Sequence, residues 1–196
     1  MLIRTAQQAV VDRRALTVDQ QPIFYYDLGS PQCYVVAETI MTALPVVPEW
    51  EPVLGSEFAV ADEEVDRAAI EREAGALGLQ PVRWPPTWPP ETRAAMLAAT
   101  YAKQIGRAVA FSLAAFRQVF AGGRDPGDEN TVLIAGAACE MHPTALRKGI
   151  ELRSTHQALQ NATRRARAAG VTSLPAIQIG SRVHDTIADA LTGARR

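Results

Sequence analysis

Ile23-Phe24-Tyr25-Tyr26-Asp27-Leu28-Gly29-Ser30-Pro31-Gln32-Cys33-Tyr34 joins two elements of opposite character. The first half is a short β-branched and aromatic run, the composition that suits a half-buried pleated strand, and it stops at Gly29. Ser30 and Pro31 then open a helix. Serine is a favoured N-cap, and proline is tolerated at the first helical position because its missing N–H has no partner there anyway. The helix is predicted to run to about Leu44, with Pro45 ending it. Cys33 falls in its first turn, near the positive end of the helix dipole, where a thiol pKa is lowered.

Working outward, Val46-Val47-Pro48-Glu49-Trp50-Glu51-Pro52-Val53 reads as a second extended segment. Its prolines argue for an edge position in the sheet or for irregular pairing. The crossover from the first strand is long enough for a helix, so the two strands are predicted parallel in a β-α-β unit. A helix is expected from Glu63 to Leu77, stopped by Gly78. Pro81-Val82-Arg83-Trp84-Pro85-Pro86-Thr87-Trp88-Pro89-Pro90 cannot be helical, since proline lacks the donor and restricts the residue before it. From Glu91 to about Ala121, Met96, Tyr101, Ile105, Val109, Leu113, Phe116 and Phe120 form one apolar helical face, broken near Gly106 and ended by Gly122-Gly123. Asp125-Pro126-Gly127 makes a turn, and helices follow over Asn130 to Met141, after Pro143, and over Ser154 to Ala169. Val171-Thr172-Ser173-Leu174-Pro175-Ala176-Ile177-Gln178-Ile179 starts a strand at a proline, Gly180-Ser181 turns it, and a short return strand precedes a last helix N-capped by Asp185.

The predicted order is β-α-β, a helical block, then α-β-β-α. That is an α/β fold, a thioredoxin-like sheet carrying an inserted all-helical domain. The expected division is a polar leader over 1–20, the sheet domain over 21–60 and 154–196, and the inserted helices over 61–153. A chain of 196 residues with 47% hydrophobic residues and a net charge of −1 describes a soluble globular protein. Such a balance points to neither a nucleic acid nor a membrane as partner. The first residues lack a signal-peptide core, so the expected address is cytoplasmic. Cys33 and Cys139 make no disulfide framework, and no Cys, His, Asp and Glu grouping has metal-site spacing. His142 and His156 read as surface or capping residues, and His184 beside Asp185 is an alternative acid–base pair.

A strand feeding a helix that opens X-Pro-X-Cys resembles the thioredoxin active-site turn, with Ser30 in place of the first cysteine. Three stretches narrow the resemblance: Phe24 to Pro31; Pro52-Val53-Leu54-Gly55 with the tryptophan-proline segment leading into Thr92; and Gly170-Val171-Thr172-Ser173-Leu174-Pro175. Together they resemble the DsbA-like thioredoxin superfamily, in its kappa-class glutathione transferase and 2-hydroxychromene-2-carboxylate isomerase branch. The resemblance implies that Ser30 contacts the sulfur of bound glutathione. It implies that the Leu174 backbone pairs with the thiol peptide, that Pro175 is cis, and that Asp185 holds the γ-glutamyl ammonium. Gln32 stands where the branch has an aromatic, the acidic Ala61-Asp62-Glu63-Glu64 replaces a Lys- and Asn-containing loop, and Val183-His184-Asp185-Thr186 is a shortened end.

The resulting expectation is an enzyme that uses a low-molecular-weight thiol, glutathione or a substitute, on a small-molecule substrate, without a metal. Ser30 and Cys33 are the catalytic candidates, with Gln32, Trp84 and Trp88 around the substrate. A homodimer is left open. The rival readings are a thiol-disulfide oxidoreductase using Cys33 and a degenerate thioredoxin-like binding module. Taken by itself, Ser30 is equally an N-cap contributing about 1 kcal/mol, and Cys33 a small packing residue.

Overall fold

Four short strands form one sheet in the order β2-β1-β3-β4 in the computed structural model, which describes residues 21–58 and 65–193. The polar leader over 1–20 and the acidic Ala61-Asp62-Glu63-Glu64 lie outside the described residues. Strand β1 (Ile23–Tyr26) pairs in parallel with β2 (Glu49–Pro52), and Phe24 lies opposite Trp50. The edge position of β2 accommodates Pro48 and Pro52, which a central strand would not. On its other side β1 runs antiparallel to β3 (Ala176–Ile179), and β3 turns at Gly180 (φ +59°) into β4 (Arg182–His184). A positive φ at the corner is easy only for glycine.

Eight α-helices are present among the described residues. Helix α1 (Pro31–Ala43) is the parallel crossover. Then come α2 (Arg67–Ala76), α3 (Arg93–Gln104), α4 (Ala108–Phe116) with a π-helical turn over Arg117–Ala121, α5 (Glu129–Ala138), α6 (Pro143–Glu151), α7 (Arg153–Ala168) and α8 (Ile187–Gly193). The long apolar face after Glu91 is thus two helices, hinged at Gly106 with φ +74°. Helix α2 begins after Asp66, whose carboxylate accepts the Ala69 N–H. The last helix is a correction to the sequence reading: Thr186, not Asp185, caps α8, since its hydroxyl accepts the Asp189 N–H at 3.1 Å. The same hydroxyl donates to the Asp189 carboxylate at 2.6 Å, which holds the cap in place.

Alternation along β1 splits the core between the two faces of the sheet. Phe24 and Tyr26 point to the helical block, where Tyr26 meets Trp50 and Phe116 with ring centroids 5.6 and 5.8 Å apart. Tyr25 points the other way, into a smaller cluster with Val53, Ala162, Ala166, Val171 and Ala176 under α7. Helix α3 is buried nearly all round, and its alanines let α4, α6 and α7 pack closely on it. Glu51 on β2 accepts from Lys103 of α3 at 2.7 Å and from Arg165 of α7 at 3.3 Å. These charges cover the free edge of the sheet and discourage pairing with another chain.

Among the described residues, Trp50 Nε1, His184 Nε2 and the Thr131 hydroxyl are buried without a hydrogen-bond partner. Thr131 in α5 is 3% exposed, and its hydroxyl has no hydrogen-bond partner. It borders a void of 10 Å³ with Leu28, Phe111 and Val119, too apolar to hold a water in place. Thr131→Val keeps the shape and removes the unmet hydroxyl, so stability should rise by about 1 kcal/mol. Thermal unfolding checks this, and a lower Tm would mean that the hydroxyl is satisfied.

Candidate functional site

The loop from β1 into α1 creates the site. Ser30 takes extended backbone angles (φ −91°, ψ 118°), and its hydroxyl oxygen accepts the Cys33 N–H at 3.2 Å. The same hydroxyl donates to the Gln32 side-chain carbonyl at 3.3 Å. Ser30 therefore caps the helix and also has its proton held by the residue that replaces the branch's aromatic. Its backbone N–H donates to the Asp27 carbonyl at 3.1 Å, closing a tight turn. The turn is pinned to α3 by the Leu28 N–H, which lies 3.2 Å from the Met96 sulfur.

Asp27, which sequence reading passed over, organises the floor. Its side chain is 4% exposed. Three donors converge on it: Gly29 N–H to Oδ1 at 2.8 Å, Gly55 N–H to Oδ2 at 2.7 Å and the Thr92 hydroxyl to Oδ2 at 3.1 Å. These come from the β1–α1 turn, the loop after β2 and the cap of α3. Burial pushes the Asp27 carboxyl above the usual aspartate range, the three hydrogen bonds pull against that rise, and Glu91 adds to it. Gly55 must be a glycine, since a Cβ there would lie 2.9 Å from the Asp27 carboxyl carbon.

Above this floor is a cavity of 510 Å³, lined on its polar side by Asp27, Ser30, Gln32 and Thr92 and on its apolar side by Phe58, Trp88 and Leu174. Arg93, in the first turn of α3, is the cation among its described lining residues. The structure thus brings Ser30, Gln32, Trp88 and Leu174 together. Leu174 precedes β3, makes no backbone hydrogen bond among the described residues, and is joined to Pro175 by a cis peptide bond. Pro175 itself is buried beneath the lining.

Two expected members are elsewhere. Trp84 is not part of the lining: its ring packs edge-on against Trp88 at 5.3 Å, Arg67 lies over it at 4.6 Å, and its N–H donates to Glu71 at 2.9 Å. It supports Trp88 from behind. Asp185 is exposed after β4 and lies 3.4 Å from the Ser173 hydroxyl, beyond the cavity wall. Among the described residues no group of three or more His, Cys, Asp or Glu could hold a metal ion, and no helix is long and apolar enough to cross a membrane.

Cys33 has the position of a reactive thiol and not its surroundings. It is fully buried, and burial pushes its pKa up to about 12 against the hydrogen bonds from the Ser30 turn, with the Asp27 charge adding to the rise. Burial therefore outweighs the helix dipole, and the thiol stays protonated at neutral pH. Cys139 is also buried and unpaired, its sulfur 3.3 Å from the Gly136 carbonyl. Neither thiol should react with iodoacetamide within minutes at pH 7.5 in the folded chain, while both should in denaturant. Mass spectrometry reads the difference, and rapid native labelling at Cys33 would contradict the burial argument.

The sequence profile of the DSBA-like thioredoxin domain matches residues 23–196. No curated protein matches the sequence significantly. Among solved structures, 2-hydroxychromene-2-carboxylate isomerase superposes with a TM-score of 0.76 at 14% identity, covering 90% of this chain and 93% of that one. A probable DsbA oxidoreductase from Streptomyces coelicolor gives 0.66 at 19% identity, covering 90% of each chain. The cytosolic disulfide reductase DsbM from Pseudomonas aeruginosa with GSH gives 0.63 at 13% identity, covering 90% of this chain and 100% of that one. At these identities the likeness is one of fold. The profile match extends over nearly the whole described chain, from β1 through both halves of the sheet and the helices between them, and on that basis the chain belongs to the family of DSBA-like thioredoxin domains.

Proposed function

We propose that the chain binds a low-molecular-weight thiol with its sulfur beside the Ser30 hydroxyl, and presents it to an apolar small molecule lying against Trp88. The observation that carries this reading is that Ser30, Leu174 and Trp88 line one cavity. The N-terminus of α1 favours an anion at that place. Leu174, whose backbone makes no hydrogen bond among the described residues, offers the strand-like edge along which a thiol peptide would lie. The neighbouring reductase solved with GSH gives the same reading a chemical precedent.

Ser30 can serve a thiolate only by releasing its present acceptor. The O–H now held by Gln32 would turn to the sulfur, giving a charge-assisted hydrogen bond. The thiolate would then add to an electron-poor double-bonded carbon of the substrate. Rotation about the resulting single bond and loss of the same thiolate would return the thiol and leave an isomer, with no net oxidation. A redox reaction through Cys33 has no comparable support, because its sulfur is buried and protonated.

A thermal-shift panel of glutathione, cysteine and uncharged thiols at millimolar concentration tests the reading. A thiol present at ten times its Kd should stabilise the fold by about 1.4 kcal/mol. Ser30→Ala should remove that shift while lowering the intrinsic stability by only about 1 kcal/mol. Gln32→Ala should enlarge it by freeing the hydroxyl. If no thiol raises the Tm, the bound-thiol mechanism is wrong.

A further inference from the structure

The β1–α1 turn, the loop after β2 and the first turn of α3 are distant in sequence, yet each donates one hydrogen bond to the same carboxylate. Thr92 shows how strongly that carboxylate competes for donors. It occupies the N-cap position of α3 but makes no side-chain cap, because its hydroxyl is turned to Asp27. The carboxylate also adjoins the Ser30 turn directly. Its Oδ1 binds the N–H of Gly29, and its own backbone carbonyl binds the N–H of Ser30.

We propose that Asp27 is the positioning residue of this cavity: its carboxylate fixes three of the walls, and its negative charge sets how readily a thiolate forms beside Ser30. Two like charges in a poorly solvated site raise each other's pKa. The α1 N-terminus and the Ser30 hydroxyl favour a thiolate, and an ionised Asp27 opposes it. The other titratable or charged groups around Asp27 are Tyr26 on β1, Cys33 on α1, Glu91 before α3 and Arg93 on α3. Tyr26 and Cys33 are buried and neutral at pH 7, Glu91 adds negative charge, and Arg93 is exposed in the first turn of α3.

The effect on folding has a definite sign. The folded carboxyl holds its proton to a higher pH than the unfolded one, since its pKa is raised. Between the ordinary aspartate value and the raised one, the folded state binds more protons, so this group's contribution to stability falls as pH rises. Asp27→Asn removes that charge penalty, and any loss of stability it causes comes from weaker hydrogen bonds.

The inference builds on the reading of Ser30 as a thiolate partner, but its test needs no bound thiol and so can fail or succeed separately. Ser30→Cys in a chain with Cys33→Ala and Cys139→Ala places a single thiol at the cap. Its pKa is read from thiolate absorbance at 240 nm and from alkylation rate against pH. Adding Asp27→Asn should lower that pKa by about one, giving about ten times more thiolate at a fixed pH below both values. An unchanged or higher pKa overturns the proposal. Thr92→Val, which keeps the charge and removes one hydrogen bond, should not lower the pKa; an equal drop would assign the effect to geometry and overturn the role of charge. Should Asp27→Asn fail to fold, the reciprocal measurement decides. With the introduced thiol capped by a permanently charged sulfonate reagent, the Asp27 carboxyl-carbon resonance should titrate at higher pH than with a neutral cap, and equal midpoints overturn the proposal.

Discussion

The Asp27 carboxylate accepting from Gly29, Gly55 and Thr92 is the constraint on which the site depends. A buried carboxylate is expensive unless its lone pairs are met, and here two backbone amides and one hydroxyl meet them. The neighbours are shaped to it. A Cβ on Gly55 would collide with the carboxylate, and one on Gly29 would lie 2.5 Å from the Thr92 methyl. Because the donors belong to the sheet and to the helical block, the cavity between them keeps its form only while these contacts hold.

Much of the fold follows from local pattern. The run Ile23–Tyr26 is long enough for one strand, and Ser30-Pro31 states where the helix must start. Pro48 and Pro52 allow only an edge position for β2, and the sheet order obeys them. Gly106 breaks the long apolar face because its φ of +74° is open to glycine. What could not be read is what depends on distant partners. Asp27 looks like a loop residue after a strand, yet it meets Gly55 28 positions away and Thr92 65 positions away. Trp84 and Trp88 are equivalent in a proline-rich connector without periodicity, so only packing separates the one that faces the cavity from the one behind it. The useful signal lay in the glycines: two of them, Gly29 and Gly55, flank places where a backbone must come close to a side chain.

Cys33 shows why a motif read by position alone misleads. A first-turn thiol gains from the dipole by about 0.3–1 kcal/mol at an exposed site. Full burial can move a pKa by about 3 to 5 in the opposite direction. With the thiol inside the core and the Asp27 charge close by, the larger effect wins. The same comparison explains why the chain can lack a first cysteine without losing the turn. Ser30 meets the Cys33 N–H through its hydroxyl, so the helix start needs no sulfur.

The hydroxyl of Ser30 and the amide of Gln32 then set the chemistry open to the site. As a cap, the hydroxyl oxygen is committed to the Cys33 N–H, and only its proton is free to change partner. Gln32 holds that proton with a neutral acceptor at 3.3 Å, a weak bond that a thiolate, being charged, would outcompete. A neutral thiol would not, because its sulfur is a poor acceptor. On the proposed reading the Ser30 hydroxyl would therefore distinguish the two ionisation states of one ligand, and Gln32 would set the threshold for that choice. An aromatic in place of Gln32 would supply no such acceptor, so this chain's departure from its resembled branch would act on selectivity for a bound thiolate while leaving the α1 cap intact.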